Sequence, residues 1–101
     1  MDKEQLKRIL LQAVENNPHR GDIKSVSLVG SHIHGTADEN SDVDVLMEFI
    51  PEATVGFFKL AQIQRSIAEF IGRKVDLLTP EALSKYFREE VLQEAERIYE
   101  R

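Results

Sequence analysis

The stretch Gly30-Ser31-His32-Ile33-His34-Gly35-Thr36-Ala37-Asp38-Glu39-Asn40-Ser41-Asp42-Val43-Asp44 decides how the chain is read. It is a polar, glycine-bounded loop between two apolar runs. The run before it, Ile23-Lys24-Ser25-Val26-Ser27-Leu28-Val29, is β-branched and alternating, and the run after it, residues 43–50, ends at Pro51. That pattern predicts strand, loop, strand. Side chains two residues apart on an extended strand point the same way, so Asp42 and Asp44 share one face at the start of the second strand. At ~6 Å and an effective dielectric of about 20, their repulsion is of order 3 kcal/mol as an upper figure. A hard divalent cation such as Mg²⁺, which takes pairs of carboxylates together with substrate phosphates, would turn that liability into a site. The blander reading has one aspartate capping a turn and the other solvated, and a lone Asp-x-Asp does not decide between the two.

A third acid shifts the balance. Asp76 interrupts the apolar strand expected over residues 74–78, where an ionised group is costly to bury unless it is paired or metal-bound. If that strand neighbours the second, Asp76 joins Asp42 and Asp44 around one or two Mg²⁺ ions, an arrangement suited to nucleotidyl transfer, and can accept a proton from an incoming hydroxyl. The alternative is an edge-strand aspartate facing Lys74 or Arg73 in solvent. Gly30 and Ser31 follow the first strand directly, where backbone amides and a hydroxyl can approach phosphate. The spacing from Gly30 to Gly35 imitates a P-loop, but Thr36 stands where that loop needs lysine, which disfavours a Walker-type ATPase. His32 and His34 have a zinc-compatible spacing but read better as polar loop residues, and His19 as a surface turn residue.

Around this centre the sequence predicts helix, strand, strand, helix, strand, helix. Asp2 and Gln5 can form a capping box ahead of Leu6, Ile9, Leu10, Ala13 and Val14 at helical spacing, broken at Asn16-Asn17-Pro18. A second helical stripe runs over residues 55–71, with Phe57, Leu60, Ala61, Ile63, Ile67, Ala68, Phe70 and Ile71 apolar and Gly72 as its C-terminal cap. Thr79-Pro80 reads as a helix start, and Leu83, Tyr86, Phe87, Val91, Leu92, Ala95, Ile98 and Tyr99 as the buried side of one or two C-terminal helices. For Phe57, Phe58, Tyr86 and Tyr99, core packing is the default expectation over a partner surface. Three strands make a small sheet needing helix cover, so the expected class is α+β, in two layers.

Composition bounds the rest. The 101 residues carry 13 Lys+Arg and 18 Asp+Glu, a formal charge of −5, with no cysteine. One domain over 1–101 is expected. Disulfides and thiolate chemistry are excluded, no apolar run approaches the ~20 residues of a membrane span, and a cytoplasmic location is expected. The acidic balance without a basic stripe argues against stable nucleic-acid binding.

Taken together, Gly30-Ser31, Gly35, Ser41-Asp42-Val43-Asp44 and Val75-Asp76 resemble the signature of the DNA polymerase β-like nucleotidyltransferases. The short length and Lys74-Val75-Asp76-Leu77-Leu78-Thr79-Pro80 are similar to the minimal nucleotidyltransferase branch, commonly encoded beside HEPN-domain proteins. The resemblance covers about residues 23 to 100. It implies a small mixed β-sheet covered by helices, Asp42, Asp44 and Asp76 as metal ligands and catalytic carboxylates, and Gly30 and Ser31 as nucleotide-phosphate contacts. It further implies Mg²⁺, ATP as substrate, and a HEPN ribonuclease toxin encoded nearby as the partner that receives AMP on a tyrosine. One departure is that many relatives carry arginines between the Gly-Ser pair and the next glycine, where this chain has His32-Ile33-His34. That departure keeps open an antitoxin acting by direct binding, with weak or no transfer.

Overall fold

The computed structural model describes residues 2–30 and 42–101. Among them are helix α1 (Lys3–Glu15), strands β1 (Ile23–Val29) and β2 (Val43–Phe49), helix α2 (Phe57–Ile71), strand β3 (Val75–Leu78), helix α3 (Arg88–Glu94) and strand β4 (Glu96–Glu100). The strands form one sheet in the order β3-β2-β1-β4. The pairs β1–β2 and β1–β4 are antiparallel and β2–β3 is parallel, so the sheet is mixed and the class is α+β.

Local chemistry accounts for the element ends. Asp2 caps α1 by accepting from the Gln5 amide at 2.8 Å, while the Gln5 side chain accepts from the Asp2 amide at 3.1 Å. Both halves of the capping box are present, satisfying donors that the first helical turn leaves without partners. Gly72 closes α2 with φ of 72°, a left-handed conformation that costs glycine nothing. Parallel strands cannot be joined by a tight turn, and α2 supplies the crossover from β2 to β3.

Helices α1 and α2 pack on each other and cover one face of the sheet. Leu6, Leu10 and Val14 from α1, Ile63, Ile67 and Ile71 from α2, and Val26, Leu28, Val43, Val45, Met47, Val75 and Leu77 from the strands make a continuous core. Each fully buried aliphatic side chain contributes roughly 1.5–3 kcal/mol relative to exposure. The β3 edge is blunted locally, because the Leu77 amide donates to Gln64 Oε1 at 2.9 Å instead of facing solvent.

The C-terminal third departs from the expected helices. Ile98 and Tyr99 do pack against the core, but from β4, which pairs with β1. Ala95 leaves the helical region at φ −60° and ψ 135°, and the free edge of β1 then offers Glu96–Glu100 a ladder of backbone partners that sequence periodicity does not register. Thr79-Pro80 opens only a three-residue 3₁₀ turn, Pro80–Ala82, with no side-chain cap from Thr79. Tyr86 and Phe87 are exposed, as are Phe57 and Phe58 at the start of α2, at 81% and 84%. Core packing therefore fails for these four aromatics. The buried face of α2 is Ile63, Ile67 and Ile71, spaced at four residues, with Leu60 and Ala68 partly buried against the core.

Candidate active site

The second face of the sheet is polar where β1, β2 and β3 meet. Because β2 and β3 run parallel with Asp44 opposite Asp76, adjacent partners in the ladder project to the same side. The neighbours of each, Val43 and Val45 on β2 and Val75 and Leu77 on β3, point into the core. Alternation therefore sends both aspartates to the face that α1 and α2 leave uncovered. Asp44 is half-buried and Asp76 exposed.

Asp42 lies two residues before Asp44, at the mouth of β2. The Val43 amide donates to the Lys74 carbonyl at 2.9 Å, which ties the starts of β2 and β3 together. Lys74 Nζ stands 3.9 Å from Asp42 Oδ2, with the lysine largely in solvent and the aspartate partly so. Such an ion pair is worth little on its own.

Gly30 completes the described part of the site. It follows β1 directly and has φ of 81°. A Cβ at this position would come within 3.1 Å of both Cβ and Cγ of Asp44 and collide with its carboxylate oxygen Oδ2. Glycine is thus required twice, for the backbone conformation and for the close approach to Asp44. Ser31, His32, His34, Gly35 and Ser41 lie outside the described residues.

Among the described residues, no three His, Cys, Asp or Glu side chains close into a metal cage. The carboxylate oxygens nevertheless suit a hard cation. Mg²⁺ usually takes only one or two protein carboxylates and fills its octahedron with water and phosphate oxygens. An in-register pair, Asp44 with Asp76, and Asp42 on the approach meet that requirement without a ready-made cage.

The same face holds residues that motif reading passed over. A cavity of about 160 Å³ lies further along this face, lined in part by Ser25, Ser27, Leu46, Glu48 and Arg97. Ser25 and Ser27 are almost fully buried hydroxyls. The signal for them was present in the Ser25-Val26-Ser27 alternation, which places two polar groups opposite Val26 and Leu28. It was legible only as strand, because the partners across the sheet were unknown.

Comparison with known proteins shows the family and the fold. Residues 4–98 match the model of the nucleotidyltransferase domain family. The protein adenylyltransferase MntA of Thermococcus cleftensis is 28% identical over 91 residues, covering 90% of each chain. A solved structure assigned as a minimal nucleotidyltransferase superposes with a TM-score of 0.75 at 33% identity, over 94% of both chains. A toxin–antitoxin structure with AMP-PNP superposes with a TM-score of 0.72 at 19% identity, over 94% of this chain and 73% of that one. No described helix is long and apolar enough to cross a membrane. With nearly its whole length matched and its mixed sheet shared, the chain belongs to the nucleotidyltransferase domain family, as a minimal nucleotidyltransferase of the DNA polymerase β-like fold.

Proposed function

We propose that the protein is a cytoplasmic antitoxin that transfers AMP from ATP, with Mg²⁺, to a tyrosine hydroxyl of a HEPN-type ribonuclease toxin encoded nearby. The observation that carries this reading is the register of Asp44 opposite Asp76 on the uncovered face, with Gly30 seated against Asp44. Similarity to an adenylyltransferase named MntA and to toxin–antitoxin structures supports the choice of AMP and of a toxin partner.

In this reading Asp42 and Asp44 would hold Mg²⁺, with Asp76 as the third carboxylate and Gly30 and Ser31 against the phosphates. When bound, Mg²⁺ supplies charge stabilisation to the phosphate oxygens. The acceptor oxygen forms a bond to the α-phosphorus, the bond from that phosphorus to the bridging oxygen breaks, and pyrophosphate departs with the electron pair. Asp76, exposed at the start of β3, takes the hydroxyl proton. Holding nucleotide and acceptor in line supplies much of the remaining advantage.

The test is incubation with α-labelled ATP, Mg²⁺ and the product of the adjacent gene. Label on the partner that disappears with Asp44→Asn is the expected result. Neutralisation of the partner that persists in Asp44→Asn, with no label in either case, would instead establish an antitoxin that acts by occlusion. The exposed Phe57 and Phe58 rings, edge-to-face at 6.2 Å, are the observation favouring that second reading, as they present apolar contact area.

A further inference from the structure

The cavity lined by Ser25, Ser27, Leu46 and Glu48 has a composition that the carboxylate chemistry does not use. Its floor is two rows of the sheet: Ser25 stands opposite Glu48, and Ser27 opposite both Leu46 and Arg97. Leu92 of α3 and Ala95 also line it. Leu46 and Glu48 continue the alternation of Asp44 along β2, so the cavity starts about 7 Å from Asp44 and reaches Glu48 about 13 Å away at ~3.3 Å per residue. Its volume, about 160 Å³, compares with roughly 150 Å³ for an engineered cavity that binds benzene. A flat ring fits; an entire nucleotide does not.

Resting on the nucleotidyltransferase reading above, we propose that this cavity receives the base of the nucleotide and that Glu48 selects a base bearing an exocyclic amino group. The position excludes the reacting end of either substrate, since both the α-phosphate and the acceptor oxygen must lie at the aspartates. What reaches two to four residues along β2 is a non-reacting end. A nucleotide has such an end in its base, one ribose away from the phosphates. The polar groups match an amino-substituted ring: the Glu48 carboxylate can only accept, as an amino group requires, while the hydroxyls of Ser25 and Ser27 can donate to a ring nitrogen. Leu46 and Leu92 supply apolar contact for the ring faces. Tyrosine would use a single hydroxyl, and that hydroxyl is needed elsewhere.

The experiment compares binding of ATP and purine riboside 5′-triphosphate, which has the same ring without the amine, to the full chain with Mg²⁺ by calorimetry. Wild type should prefer ATP by about tenfold, the size expected for a hydrogen bond to a charged acceptor. Glu48→Ala should bring the ratio close to one while leaving the affinity for the deamino nucleotide within about threefold. Glu48→Gln, which keeps an acceptor oxygen, should retain part of the preference and guards against loss of fold in the alanine variant. A wild-type ratio near one, or a ratio that survives Glu48→Ala, overturns the assignment. If ATP binds and Asp44→Asn weakens it while the ratio ignores Glu48, only the base pocket falls. If wild type binds no nucleotide, the parent reading falls with it. A Glu48→Ala variant that raises KM for the acceptor protein and leaves the nucleotide ratio intact assigns the cavity to the acceptor and refutes the proposal.

Discussion

Val43, Val45 and Met47 on β2 are fully buried beneath the helices, whereas Asp44, Leu46 and Glu48, each one residue away, line the opposite face beside the candidate site. One strand therefore serves two environments, separated by a single step of the pleat. The helix-covered face gains from displacing water and tolerates no charge. The other carries Asp44 and Asp76 in register on neighbouring strands. The contrast teaches that stability and chemistry are divided by alternation rather than by distance, so substitutions at adjacent positions should give opposite phenotypes.

The largest effect should come from Asp44→Asn. On the proposed reading, loss of this carboxylate is expected to reduce transfer at least about a thousandfold, on the order of 4 kcal/mol of transition-state stabilisation, while the ligand-free protein stays folded. Label-transfer rates and thermal melts check this together. Equal losses of activity and fold would break the division between the faces. Next in size, Leu10→Ala on the covered side should lower unfolding free energy by about 2–5 kcal/mol through the cavity it leaves, with a lower urea midpoint and an unchanged slope. Below its melting point that variant should still bind Mg²⁺ and nucleotide. If it does not, the covered face positions the site as well as supporting it.

The same division explains what the sequence could reveal. β1 is legible to the residue, β2 and α2 nearly so, because alternation and helical spacing are local properties written in Val43, Val45, Met47 and in Ile63, Ile67, Ile71. Asp42, Asp44 and Asp76 stand out because charged residues break apolar strands. β4 does not stand out, since Arg97-Ile98-Tyr99 becomes a strand only through the edge that β1 offers. The exposed Phe57 and Phe58 mislead for a related reason: an aromatic residue at helical spacing implies burial only if some surface reaches it. The cavity containing Glu48 is invisible in sequence because its lining comes from β1, β2, α3 and β4.

Gly30 joins the two faces, and Gly30→Ala sharpens the comparison at intermediate size. A φ of 81° costs a non-glycine residue about 1–2 kcal/mol, and the added Cβ would push against the Asp44 carboxylate. Unfolding free energy should drop by at least that amount. The rise in melting temperature expected for wild type with Mg²⁺ and nucleotide, through preferential binding to the folded state, should shrink or vanish. A variant with the wild-type thermal shift would show that the close approach of Gly30 to Asp44 is unrelated to ligand binding.

The smallest expected effects belong to neither face but to the rim that clamps them. Asp22, in the turn before β1, accepts a hydrogen bond from Lys59 of α2. That bond, reinforced by the positive charge of Lys59 and opposed by partial desolvation, holds its carboxyl below the ordinary range. Glu96 at the start of β4 is lowered in the same way, first by the hydrogen bond from Lys3 of α1 at 2.8 Å, against desolvation, with Lys7 adding to it at 3.3 Å. Both folded-state values lie below the unfolded ones, which are about 3.9 for Asp and 4.3 for Glu. The unfolded chain therefore takes up protons first as pH falls. The stabilisation is fully present above about pH 5 and is lost as pH drops through the depressed folded-state values. Asp22→Asn should lower the melting temperature slightly at pH 7, converge on wild type as pH falls through the depressed folded-state value, and flatten the acid limb between; added salt should narrow the gap at pH 7 because these pairs are partly exposed. An acid limb unchanged in both Asp22→Asn and Glu96→Gln would assign acid sensitivity to other carboxylates.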